Sequence, residues 1–196
     1  MKKFFFILLV CMLLSNVTFA SKSKFKDPQY PFNQITAVNL KNAVYEPYTT
    51  GDDFKEDNDP VNRTLNALRT AFAKSKIQLD EENKNGNVDL TMSVHQLGTF
   101  TYWSGPWVEE VFDYQPVYRH HHHHRHNDII YIPIRRAVVH PGRWITDAYA
   151  EVEFTVKDAK TGRMIYNVRD ERQRQDTSYD GMLKRICNDF VKDIKK

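Results

Sequence analysis

Ala148-Tyr149-Ala150-Glu151-Val152-Glu153-Phe154-Thr155-Val156-Lys157-Asp158-Ala159-Lys160-Thr161-Gly162 is the stretch from which the fold can be read. Ala148, Ala150, Val152, Phe154 and Val156 fall on one side of an extended chain. Tyr149, Glu151, Glu153, Thr155 and Lys157 fall on the other, and a period of two is that of a strand with one apolar face. Asp158 to Gly162 carries turn chemistry, with Gly162 suited to a left-handed backbone. Met164, Tyr166 and Val168 then return as the second strand of a hairpin. An apolar face of this kind needs a second layer to cover it.

Working outward, the cover is found on both sides. Tyr179, Met182, Leu183, Ile186, Cys187, Phe190, Val191 and Ile194 make one stripe of a closing helix, with Lys184, Arg185, Asp189, Lys192 and Asp193 opposite. Upstream, Asp59-Pro60 opens another helix, with Asp as N-cap and Pro in the first turn. Val61, Leu65, Leu68 and Phe72 follow on one face. Val88, Leu90, Met92 and Val94 alternate with Asp89, Thr91, Ser93 and His95, and Gln34 to Tyr48 reads as a first strand. Gly51 to Asp59 is an acidic linker. The expected fold is α+β, a two-layer sandwich with a mixed sheet of about four strands and two helices on one face. The first two strands should run parallel across a right-handed crossover.

Residues 97–146 interrupt that plan with aromatic residues and four prolines. Fifty structureless residues are uncommon inside a compact domain. Val111 to Arg119 and Asp128 to Val139 both read as extended, so the excursion is expected to be a long β-hairpin with histidines at its tip. The organisation read from the chain is a signal peptide over 1–20, an extended arm over 21–33 and a single α+β domain over 34–196.

The signal peptide rests on Lys2 and Lys3, the apolar run Phe4 to Leu14, and the small residues Thr18 and Ala20, which predict cleavage near Ala20. The apolar run is half the length a membrane-spanning helix needs, about 20 residues. Cys11 follows Val10 rather than a small residue, which argues against lipidation. The protein is therefore expected in the periplasm or cell envelope, touching membrane only through export. Of 28 basic and 25 acidic residues, two lysines leave with the signal, so the remainder is nearly neutral and nucleic acid is not implied. Cys187 is then the lone cysteine and, lying on the helix stripe, is expected to be buried.

The loudest local chemistry is Arg119-His120-His121-His122-His123-His124-Arg125-His126. Neutral imidazoles bind zinc, nickel or copper, so His120, His121, His122, His123, His124 and His126 are candidate metal ligands, although no cofactor is required by any motif. A polar loop tip without a ligand is the second reading. A tip that gains charge below pH ~6.5 and meets anionic envelope polymers is the third. The candidate binding surface comprises Tyr102, Trp103, Trp107, Tyr114, Tyr118, Arg119, Arg125, Tyr131, Arg135, Arg136 and Trp144; the competing reading makes these aromatics the excursion's own core. His95 and His140 are isolated, and the run Asp170 to Asp176 reads as solvated. No nucleophile elbow, zinc-protease helix, phosphate loop or calcium loop occurs in the sequence.

With its strand-helix-strand start, long insertion and closing helix, the chain resembles small exported bacterial envelope proteins carrying a domain like the amino-terminal domain of TolB. The closest likeness lies over Val152 to Gly162. The resemblance implies a non-enzymatic envelope role, often partner binding, and carries over no functional residues. The function expected is an exported binding or scaffold module, its partner an envelope protein or an anionic envelope polymer, its oligomeric state open. Metal binding or buffering through His120 to His126 is the alternative.

Overall fold

The structure is a computed structural model that describes residues 20–48, 53–120, 127–174 and 178–196. Its elements are β1 (Ala20–Lys26), β2 (Ala37–Tyr45), β3 (Phe54–Glu56), α1 (Pro60–Ala73), β4 (Gln78–Asp80), β5 (Val88–Ser104), β6 (Trp107–His120), β7 (Asn127–His140), β8 (Arg143–Asp158), β9 (Met164–Arg174) and α2 (Asp180–Ile194). They form two compact units. One joins the described residues up to Thr101 with Thr146–Lys196; the other is Tyr102–Ile145.

In the first unit the decisive stretch behaves as its alternation dictates. β8 pairs antiparallel with β9, from Ala148↔Arg174 to Val156↔Tyr166. The turn holds Gly162 at φ 69°, and Asp158 Oδ1 accepts hydrogen bonds from the Lys160 and Thr161 amides. β2 and β5 run parallel, with Val38 opposite Val88, and α1 lies between them in sequence. The result is a mixed sheet with two helices, ordered β1-β9-β8-β5-β2-β4, with β3 also paired to β5.

That sheet has seven strands, not about four. β3 and β4 are three residues each, too short for alternation to show. β1 is hidden differently, because lysines stand at its alternate positions. Lys24 Nζ lies 2.8 Å from Asp193 Oδ2, Lys26 Nζ donates to the Asp193 carbonyl at 2.8 Å, and Lys22 Nζ is 3.8 Å from Asp170. Long lysine stems cover apolar surface while their ammonium groups meet the end of α2. A row that reads as an extended arm is therefore an edge strand.

α1 starts as predicted: Asp59 Oδ1 accepts from the Asn62 amide at 3.4 Å, with Pro60 in the first turn. Leu65, Leu68 and Phe72 are buried, as are Met182, Leu183, Ile186, Cys187, Phe190, Val191 and Ile194 of α2. Phe190 joins the layers. Its ring stacks on Phe154 of β8 at 4.2 Å and 9°, and meets Phe72 of α1 edge-on at 6.3 Å. The run Asp170 to Asp176 is, over its described part, not simply solvated, because β9 turns alternate residues inward. Asp170 is buried, and Arg172 bridges it to Asp189 of α2 at 2.8 Å.

Two outcomes follow from this packing. Phe190→Ala should cost about 3–5 kcal/mol in chemical denaturation; a loss below about 1 kcal/mol would contradict the stacked geometry. Burial pushes the Cys187 thiol up to about 12, so a thiol reagent should label Cys187 in the native protein only as fast as the protein unfolds.

Candidate functional site

The second unit is built on the β6–β7 ribbon. The strands pair residue for residue, from Trp107↔His140 to His120↔Asn127. Directly opposed residues of an antiparallel pair share a face, and alternate pairs share the same face. The register therefore sorts the side chains into two sets. One face carries the pairs Val108/Val139, Glu110/Ala137, Phe112/Arg135, Tyr114/Pro133 and Pro116/Tyr131. The other carries Trp107/His140, Glu109/Val138, Val111/Arg136, Asp113/Ile134 and Gln115/Ile132.

The first face is aromatic, and among these pairs its only charges offset each other. Arg135 lies over the Phe112 ring at 5.6 Å and approaches Glu110 at 3.9 Å. Val108, Phe112, Tyr114, Tyr131 and Val139 are nevertheless 56 to 68 % exposed. The second face is more mixed. Trp107 stacks on His140 at 4.1 Å, and His140 Nε2 lies 2.9 Å from Glu109. Trp103 meets Trp144 edge-on at 5.5 Å, and a Cβ at Gly142 would fall 2.4 Å from the Trp103 ring, so only glycine fits that turn.

The ribbon has a further property that the register reveals. Proline donates no backbone hydrogen bond, so Pro116 and Pro133 can sit in this ladder only where their nitrogens point away from the partner strand. Both belong to the aromatic face, whose pairs thus direct their backbone groups outward. β6 and β7 have no other strand partner among the described residues. Each outer edge consequently lacks one donor.

The predicted binding residues divide accordingly. Tyr114, Tyr131 and Arg135 share the aromatic face, Trp107 and Arg136 the opposite one, and Tyr102, Trp103 and Trp144 lie elsewhere in the unit. Tyr118 and Arg119 are placed only as backbone in β6, and Arg125 is outside the described residues. Val108, Phe112 and Val139, absent from the predicted set, complete the face; register, not composition, picks them out. Of the candidate metal ligands, His120 is described only as the backbone end of β6, and His121, His122, His123, His124 and His126 lie outside the described residues. Among the described residues no three His, Cys, Asp or Glu side chains are grouped to hold a metal.

In the first unit, the polar side of the sheet gathers a second cluster. His95 is buried, with Nδ1 3.0 Å from the Glu46 carbonyl and Nε2 3.1 Å from Glu153 Oε2. Tyr48 stacks on its ring at 4.8 Å, and Arg169 lies over Tyr48 while pairing with the buried Glu151. Asn167 Nδ2 donates to Glu153 Oε1 at 2.6 Å. Both imidazole nitrogens are engaged, so this histidine braces the sheet. Burial alone would push the Glu153 carboxyl up, but hydrogen bonds from Asn167 and His95 and the nearby Arg169 charge hold it below its ordinary value. Shallow grooves of about 260 and 300 Å³ lie along the helices, lined in part by Arg69 and Phe72 and by Arg63 and Lys184. Neither includes His95 or His140.

No family model and no curated protein sequence matches the chain. In fold it is similar to the PelC dodecamer from Paraburkholderia phytofirmans, with a TM-score of 0.50 and 10 % identity over 90 % of this chain and 98 % of that one. A point variant of the same dodecamer gives a TM-score of 0.44 at 10 % identity and the same coverage. A PDZ domain protein from Parabacteroides distasonis gives 0.36 at 9 % identity, over 88 % of this chain and 35 % of that one. At such identities the PelC likeness speaks for the fold alone.

Glu153 gives a pH test with a defined sign. A carboxylate held below its ordinary pKa contributes stability at pH values above about 4.3, which is lost as pH falls through the folded value. Denaturation curves should therefore show stability declining below pH ~4.3, and Glu153→Gln should flatten that decline. Parallel curves for the two proteins would remove Glu153 from the account.

Proposed function

We propose that this chain is an exported, non-enzymatic binding or scaffold module of a bacterial cell envelope, and that the aromatic face of the β6–β7 ribbon is its contact surface. The carrying observation is that face: five large apolar side chains more than half exposed on one side of a two-stranded ribbon. An isolated hairpin is at best marginal in water, and contiguous exposed apolar patches mark interaction sites. Export is supported by the basic, apolar and small-residue sequence of Met1 to Ala20. The partner is an envelope protein or an anionic envelope polymer, with Arg135 supplying the cationic contact on that face. That a similar fold occurs as a dodecamer in PelC makes assembly a natural use for such a surface.

Capture of partners from the native envelope, by the exported protein and by its Phe112→Ser/Tyr114→Ser variant, tests the reading. The variant should lose the retained species, while Arg69→Ala, on α1 of the other unit, should keep it. Equal capture by all three would overturn the assignment of this face.

A further inference from the structure

The aromatic face also indicates what covers it. We infer that the occupant is a second copy of this chain, with two β6–β7 ribbons packed face to face about a two-fold axis; this rests on the reading of that face as the contact surface. Strand addition needs an unbroken row of outward donors and acceptors, and Pro116 and Pro133 interrupt the row on β6 and on β7. Association through the side-chain face remains.

The charges on that face then select among occupants. Among its described side chains it carries one acid, Glu110, and one base, Arg135, 3.9 Å apart. A lipid surface would strand both in an apolar medium, which is costly. Any purely apolar protein patch would do the same. A two-fold axis in the plane of the contact that runs between the two charges instead sets Glu110 against the partner copy's Arg135 and Arg135 against the partner copy's Glu110. The face is thus self-complementary in sign while being net neutral. Its area is in keeping. Phe112, Tyr114 and Tyr131, each more than half exposed, present on the order of 100 Å² apiece. With Val108, Val139 and the two prolines the total is several hundred Å², close to the roughly 800 Å² per partner of a standard specific interface.

The test is sedimentation of the exported protein without an added tag and in the presence of a chelator, so that the histidine run cannot bridge copies through metal. The native protein should form a dimer in the micromolar range. Glu110→Arg leaves two arginines on the face and Arg135→Glu leaves two glutamates, so each variant alone should self-associate at least about tenfold more weakly. Mixed together they should recover a heterodimer, which a role confined to the pair within one chain cannot produce. Failure of the mixture to associate more tightly than either variant alone overturns the inference, as does a native protein that stays monomeric at about 1 mM. A monomer that still loses its envelope partner in the Phe112→Ser/Tyr114→Ser variant would replace the second copy with that partner and leave the contact surface standing. A monomer with partner capture unchanged in that variant would overturn both.

Discussion

The ring of Phe190, lying flat on Phe154 and edge-on to Phe72, is the contact on which the first unit depends. It is made by residues from three elements far apart in the chain, and it is the point where α1, α2 and the sheet all meet. Aromatic rings bury large apolar areas and add a geometric preference beyond area alone. Around that point the alternation of β5 and β8 and the stripes of α1 and α2 have a single shared interior. Tyr166 and Phe32 extend the same aromatic contact toward the start of the chain.

With the interior fixed, the polar groups fall into place by exclusion. Asp170, pointing toward α2, is buried and is met by Arg172 and Lys22. On the opposite side of the sheet Glu151 and His95 are buried as well, and each is met by a neighbouring strand or loop. Buried charge without a partner is costly, and here each of these groups has at least one partner from another element. These networks hold register: a slip of one residue in β8 or β9 would send Glu151 and Asp170 to the wrong sides.

The second unit follows a different economy. Its ribbon is only two strands wide, so neither face can be covered by the ribbon itself, and side chains that would be core in a thicker structure remain exposed. The pairing of Glu110 with Arg135 and the placement of Arg135 over Phe112 keep charge on the aromatic face without cancelling its apolar character. The outward prolines protect the edges that such a ribbon otherwise offers to any passing strand. Together these features describe a surface suited to one kind of contact, side chain against side chain.

Much of this was legible in the residues. The period-two runs at 88–94 and 148–156, the Asp59-Pro60 start and the stripe from Met182 to Ile194 determined two strands and two helices, because local periodicity and capping are properties of short windows. A hairpin within 97–146 was legible from its extended arms. The strands of three residues and the lysine-bearing β1 were not, since their pairing is supplied by distant neighbours and leaves no local pattern. The same holds for the candidate surface. Composition marked the excursion as aromatic and period two sets Phe112 beside Tyr114, but whether Arg135 and Tyr131 stand on their face or the opposite one is a matter of cross-strand register. One residue of slip would exchange the partners of every side chain on the ribbon, so only the tertiary pairing could decide which of them form a face.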